Sequence, residues 1–315
     1  MAHELTIRED GKVEMAYVGE VPWHGMGTEM ASDATIEEWR TGAGMDWNVE
    51  SSRVVYRARG SEKVCVIDDS VVLHRSDNDA PLGIVSASYE IVQPAEVLEF
   101  FRDLVHSIGL ELNSAGTLFG GKRYFASAKI GEQALLDHDK ISGYLLLTTS
   151  ADGTLATRAK FTSVRTVCNN TLSMALGGRN TGGEVAIRHR SVFDASKAKE
   201  ALGIAPATFA TFMDSMRTLT TRRLSTDMAE TLTGNLVKSD QKASKRIMEL
   251  FTGAATGYAE EGFKGTPWGW LNSVTEYVDH GRRAKSDSHR INNSLFGTGD
   301  DIKIAARDMA LDYVA

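Results

Sequence analysis

A chain of 315 residues with 42% hydrophobic and 24% charged side chains has an ordinary globular composition, which excludes a disordered polymer. No run approaches the roughly 18 apolar residues of a membrane span, and two cysteines, Cys65 and Cys168, cannot build a disulfide framework or a four-cysteine zinc site. The net charge of −7 excludes a uniformly basic coat, and the charged opening MAHELTIRED lacks a signal peptide's apolar stretch, so a cytoplasmic location is expected.

In chain order, Asp10-Gly11 between two short runs is a hairpin signal, and Ser32 or Asp33 can cap a short helix through Trp39. Strand-like runs follow at Val54–Tyr56, Val64–Ile67, Val71–Leu73 and Leu82–Val85. Pro94–Ile108 reads as a helix, because Val97, Leu98, Phe101, Leu104, Val105 and Ile108 recur on one face at helical period. Strands are expected at Tyr124–Ile130 and Gly143–Thr149. A second Asp-Gly turn, at Asp152-Gly153, leads into Thr154–Phe161.

In that last strand Leu155, Thr157, Ala159 and Phe161 fall on one face and Ala156, Arg158 and Lys160 on the other. Val164–Leu176 reads as a helix and Glu184–Val192 as a strand or extended arm. Helices follow at 197–202, 206–219, 227–232, 241–252, 268–278 and 300–314. Asp300 is the expected cap of the last, with Ile302, Ala305, Ala306, Met309, Ala310 and Tyr313 on its apolar face. The expected class is α+β: an antiparallel sheet with β-hairpins backed by helices, then a mostly helical last third. A mixed core domain is expected over 1–193 and a helical region over 194–315.

The chemistry-bearing residues are few. Trp23-His24-Gly25 could form a stacking or acid–base loop, or simply a packed turn. Cys168 with His189 would make a thiol nucleophile only if the two met in space; a buried cysteine otherwise behaves as a small hydrophobe. The eight histidines show no metal-ligand spacing, and the glycine pairs lack a phosphate-loop lysine, so no cofactor or metal is expected.

Charge is distributed unevenly. Arg158, Lys160, Arg165, Arg179, Arg188, Arg190, Lys197 and Lys199 outnumber Glu184 and Asp194, so residues 158–199 carry about +6 and the remainder about −13. Such a segment can track a phosphate backbone, with Tyr124 and Phe161 supplying stacking faces. It can equally be a solvated rim paired with acidic surface elsewhere.

PWHGMG, RTVCNNTLSMAL, IRHR, TPWGWLNSVTEYVDH and SLFGTG, in that order, resemble a phage- and plasmid-encoded family defined by a domain of unknown function. A more remote similarity is to single-strand annealing proteins of the RecT, Erf and Red-beta kind. That similarity implies a basic groove for single-stranded DNA on a helix-backed sheet, with subunits in rings or filaments. The expectation is therefore a non-enzymatic, homo-oligomeric protein of phage recombination or replication that anneals single-stranded DNA. Arg158, Lys160, Arg165, Arg188 and Arg190 would hold phosphates, and Phe161 and Tyr124 would stack bases. The alternative is a phage protein that binds a host protein through aromatic anchors such as Trp268 and Trp270.

Overall fold

The computed structural model describes residues 5–19, 26–108, 110–136, 139–165, 171–173, 184–202, 207–238, 240–260, 262–285 and 287–315. The loop at Trp23-His24 and Cys168 lie outside them. The first half carries β1 (Met15–Tyr17), β2 (Thr28–Glu29), α1 (Ile36–Gly42), β3 (Val49–Arg57), β4 (Val64–Arg75), β5 (Pro81–Ser86), α2 (Pro94–Ile108), β6 (Glu111–Leu118), β7 (Arg123–Leu136) and β8 (Asp139–Ser150). Then come β9 (Thr157–Arg165), β10 (Thr171–Ser173), β11 (Glu184–Ile187), α3 (Ala195–Leu202), α4 (Ala207–Thr221), α5 (Thr226–Val237), α6 (Gln241–Glu249), α7 (Pro267–Glu276), α8 (Asp287–Phe296) and α9 (Thr298–Val314).

One sheet has the order β10-β9-β8-β7-β6-β1-β2, with β11 also on β9; a second has the order β3-β4-β5. The protein is α+β, with antiparallel pairing dominant and the helices concentrated in the last third. Among the described residues no helix is long and apolar enough to cross a membrane. The chain forms two compact units, each assembled from separate stretches: Met1–Lys129, Leu145–Lys160 and Glu184–Leu202 in the first, and Ile130–Tyr144, Phe161–Gly183 and Gly203–Ala315 in the second.

In the first unit, α2 follows its sequence pattern. Val97, Leu98, Phe101 and Leu104 are buried, and Phe100 meets Phe101 edge-on at 5.1 Å. Each such side chain contributes about 1.5–3 kcal/mol by leaving water. Helix α1 is capped by Thr35, not by Ser32 or Asp33. Thr35 Oγ1 accepts from Glu38 N–H at 3.2 Å, and a Glu38 carboxylate oxygen accepts from Thr35 N–H at 2.7 Å, closing a capping box.

Beside these helices lies a buried charge network. Glu14 accepts two hydrogen bonds from Arg75, Nη1 at 3.0 Å and Nη2 at 2.7 Å, a third from Arg8 Nε at 3.1 Å and a fourth from Thr117 Oγ1. Arg75 also grips Asp77 at 2.8 and 2.9 Å and lies 4.2 Å over the Trp47 ring.

That network anchors the base of the β3–β4 hairpin, where Val49 and Leu73 are buried. The far end is different. Val55 pairs with Val66, Tyr56 with Cys65 and Arg57 with Val64, so Val55, Val66 and Val64 share one face and Tyr56 lies on the other. All four of these large apolar residues are exposed, Val55 at 55% and Tyr56 at 51%.

The second unit is built around α7, whose residues Pro267 to Thr275 are all buried. A helix surrounded on every side is the centre of its bundle. Helices α4, α6 and α9 pack on it. Trp270 is fully buried with its indole N–H donating to Thr233 Oγ1 at 2.9 Å, and Trp268 is 3% exposed. Neither tryptophan is available as the partner anchor expected above. Phe209 on α4 lies over Gly143 of β8, where a Cβ would come within 2.6 Å of its ring, so that strand position requires glycine.

Two further expectations are corrected. Val164–Leu176 is not a helix in the part described: Val164 and Arg165 continue β9, and Thr171–Ser173 returns antiparallel to it, with Thr171 opposite Val164. The β-branched residues there favour extended backbone. Asp300 does not cap α9. It lies inside the first turn, and Asn293 Oδ1 of α8 accepts the N–H of Gly299 at 2.9 Å instead.

Candidate nucleic-acid interface

Four of the basic residues singled out in the sequence, Arg158, Lys160, Arg188 and Arg190, lie on or just beyond one strand pair of the first unit. Strand β11 runs antiparallel to β9 with Glu184 opposite Lys160, Val185 opposite Ala159, Ala186 opposite Arg158 and Ile187 opposite Thr157. Cross-strand partners share a face, so Arg158 and Ala186 lie on one side and Thr157 and Ile187 on the other. Beyond Ile187 the chain leaves the strand and turns, with Ser191 N–H donating to Arg188 O at 3.1 Å. Arg188 and Arg190 on this turn are exposed, and Arg158 is half-buried.

Between the two exposed arginines, His189 points inward and is 9% exposed. Its Nδ1 lies 2.9 Å from Glu90 O, and its Nε2 lies 3.1 Å from Leu155 O and 3.4 Å from Thr149 Oγ1. Its ring stacks on Tyr89 at 4.3 Å and 14°. The His189 carbonyl in turn accepts from Glu90 N–H at 2.9 Å. Tyr89 continues the chain of contacts, its hydroxyl donating to Ser150 O at 2.7 Å, and burial raises its pKa above the ordinary tyrosine value. A Thr149–Thr157 hydroxyl contact at 2.8 Å ties β8 to β9. Through these bonds one imidazole fixes the turn and directs Arg188 and Arg190 away from the core.

Burial corrects three of the expected contacts. Lys160 is 1% exposed, so its ammonium lies inside the fold and not along a groove. Phe161 and Tyr124 are each 1% exposed, which leaves no ring face for a base. The Tyr124 hydroxyl donates to Val92 O, and its ring packs edge-on against Trp47 at 6.0 Å. Burial raises the Tyr124 pKa well above its ordinary value. The strand alternation was legible in the sequence, but both faces of β9 at 159–161 are covered, and alternation alone does not reveal that. Arg165 ends β9 in the second unit, and its side chain lies outside the described residues. The pairing of His189 with Cys168 lies outside them as well.

One cation of the first unit escaped the sequence reading. Arg123, at the start of β7, donates from Nη2 to Thr154 Oγ1 at 2.9 Å and lies 5.4 Å from the Phe119 ring. Burial lowers its pKa, with Asp152 opposing that effect. Its signal in the sequence was only the Lys122-Arg123 pair after two glycines.

A family model described as a domain of unknown function (DUF932) matches residues 81–296. The chain belongs to that family. The match opens on the first residue of β5 and closes on the last of α8, so the DUF932 segment holds Arg158, His189 and both exposed arginines. No curated protein and no solved structure matches this DUF932 protein.

Proposed function

We propose that this DUF932 protein binds single-stranded DNA without catalysing a covalent step, and that it works as a homo-oligomer annealing complementary strands in phage recombination or replication. The observation that carries the reading is the turn after β11. Arg188 and Arg190 are exposed there and held outward by the buried His189, with Arg158 on the adjoining strand. Guanidiniums presented from a turn whose backbone is held neutralise phosphates through charge-assisted hydrogen bonds, and the bases stay open for pairing.

Three phosphate contacts at about 0.7 each on a single strand give a log–log salt slope near −2, roughly a twentyfold loss of affinity between about 50 and 200 mM salt. The test is fluorescence anisotropy of the full chain with a labelled single-stranded oligonucleotide. Arg188→Ala with Arg190→Ala should weaken binding alike for every sequence and reduce the slope by about 1.4. Absence of binding at low salt, or a slope unchanged in the double variant, overturns the reading.

A second reading rests on the far end of the β3–β4 hairpin. A two-stranded ribbon with apolar side chains exposed on both faces is marginal by itself and characteristic of a surface that another protein covers. A protein that fails to bind DNA would leave this hairpin as the working surface, with a host or phage protein as its partner.

A further inference from the structure

The stretch GRRAKSDSHR supplies Arg282, Arg283, Lys285 and Arg290 against Asp287. It lies in the second unit. Helix α7 ends in a π-helical turn over Tyr277–Gly281, after which Arg282 turns extended at φ −69° and ψ 134°. Such turns recur at functional sites because they redirect side chains at a helix end. Here the redirection brings Arg282 and Arg283 to face α8. The result is a cleft of about 70 Å³ lined by Arg282, Arg283, His289, Arg290 and Asn293, with Val278 beneath.

The guanidiniums of Arg282 and Arg290 are held by neutral acceptors. Arg282 Nη1 donates to Asn293 Oδ1 at 2.7 Å and to Thr298 Oγ1 at 3.1 Å. Arg290 Nη1 donates to Arg282 O at 2.5 Å and His280 O at 3.3 Å, closing the end of the α7 helix. Among the described residues, no carboxylate forms an ion pair with Arg282, Arg283 or Arg290. Asp279, three residues before Arg282, is buried and engaged by Lys303 Nζ at 2.8 Å. Elsewhere on the surface Arg102, Arg217 and Arg246 each pair with an acid three residues away. Among the described residues no anion sits with these three positive charges, so they repel one another, and a doubly charged oxyanion would relieve that repulsion.

We propose that this cleft is an oxyanion site that takes a phosphate group. Arginine forks match tetrahedral oxygens by paired charge-assisted hydrogen bonds. The volume is far below the roughly 300–1,000 Å³ that encloses a whole small molecule. The ligand is therefore either free phosphate or the terminal phosphate of an ester whose remainder stays outside. His280 and Arg282 carbonyls anchor Arg290, and Asn293 anchors Arg282, so both forks are fixed before the anion arrives.

The test is isothermal titration calorimetry of the full chain with inorganic phosphate, adenosine 5′-monophosphate and adenosine, at ionic strength matched with chloride. Phosphate and the monophosphate should bind and adenosine should not. Tighter binding of the monophosphate would make an ester the ligand, whereas equal binding would make it free phosphate. Arg283→Gln, at an exposed position with no hydrogen bond to lose, should weaken phosphate binding about tenfold, the effect of one charge-assisted hydrogen bond. Circular dichroism should show its fold unchanged. Phosphate heats no different from chloride, adenosine binding as well as its monophosphate, or wild-type affinity in Arg283→Gln would each overturn the site.

Discussion

Glu14→Ala tests the anchoring of the β3–β4 hairpin. Glu14 is completely buried and accepts from Arg75 twice, from Arg8 and from Thr117, so truncation removes all four bonds at once. It leaves Arg75, whose side chain is 2% exposed, with Asp77 as its only acid among the described residues. Breaking a buried pair by deleting one partner costs about 3–5 kcal/mol. Because Asp77 still compensates part of the Arg75 charge, the lower end, about 3 kcal/mol, is expected. At about 2–4 °C per kcal/mol for a unit of 150–250 residues, the melting temperature should fall by about 6–12 °C. Calorimetry and urea unfolding would measure it. Glu14→Met combined with Arg75→Met removes both charges and should recover most of the loss, since an apolar pair of similar volume replaces a buried ion pair with little penalty. A melting temperature within about 1 °C of wild type for Glu14→Ala, or a double variant that falls by the sum of the two singles, would refute the reasoning.

The second unit has a parallel. Lys303→Ala leaves Asp279 and Ser294 in a buried site without the ammonium that both contact at 2.8 and 3.1 Å, and should destabilise by about 3–5 kcal/mol in urea melts. The Arg75 guanidinium holds the Asp77 carboxyl below its ordinary value. Its folded pKa is thus lower than its unfolded one, so the contribution is fully present above the ordinary carboxylate range and lost as pH falls through the lowered value. Acid melts of Asp77→Asn should therefore show a shallower loss of stability than wild type below pH about 4, and parallel curves would contradict the pairing.

Elements with a single dominant signal were legible in the sequence. Helix α2 announced itself by six apolar residues at helical period and by Pro94, which opens it. Helix α7 was legible as an element over 268–278, but not as a buried centre: Trp268 and Trp270, expected as partner anchors, lie inside the bundle. What the sequence concealed was buried charge. The apolar stripe expected on α9 included Ala305 and Tyr313, both exposed, while the face that packs inward carries Lys303, Ala306, Arg307 and Ala310. A periodicity argument assigns lysine and arginine to solvent, and it fails where an acid from a distant segment waits inside, as Asp279 does for Lys303.

The same concealment reshapes the electrostatic argument. Counting charges along residues 158–199 treats every cation as available, yet Lys160 is inside the fold while Arg188 and Arg190 are outside it. Among the described residues burial thus withdraws Lys160 from the basic stretch, and Lys197 is paired with Asp194. Arg75, Lys303 and Arg307 are likewise withdrawn from the surface. The arginines of the α7–α8 cleft lie apart in the sequence, and the π-helical turn at the end of α7 brings Arg282 and Arg283 to face Arg290. A weakly basic sequence can thus present a concentrated positive site, and a strongly basic one can hide most of its charge. Which of the two occurs depends on whether a neutral acceptor or a carboxylate holds each guanidinium, and that is a property of packing that linear spacing does not encode.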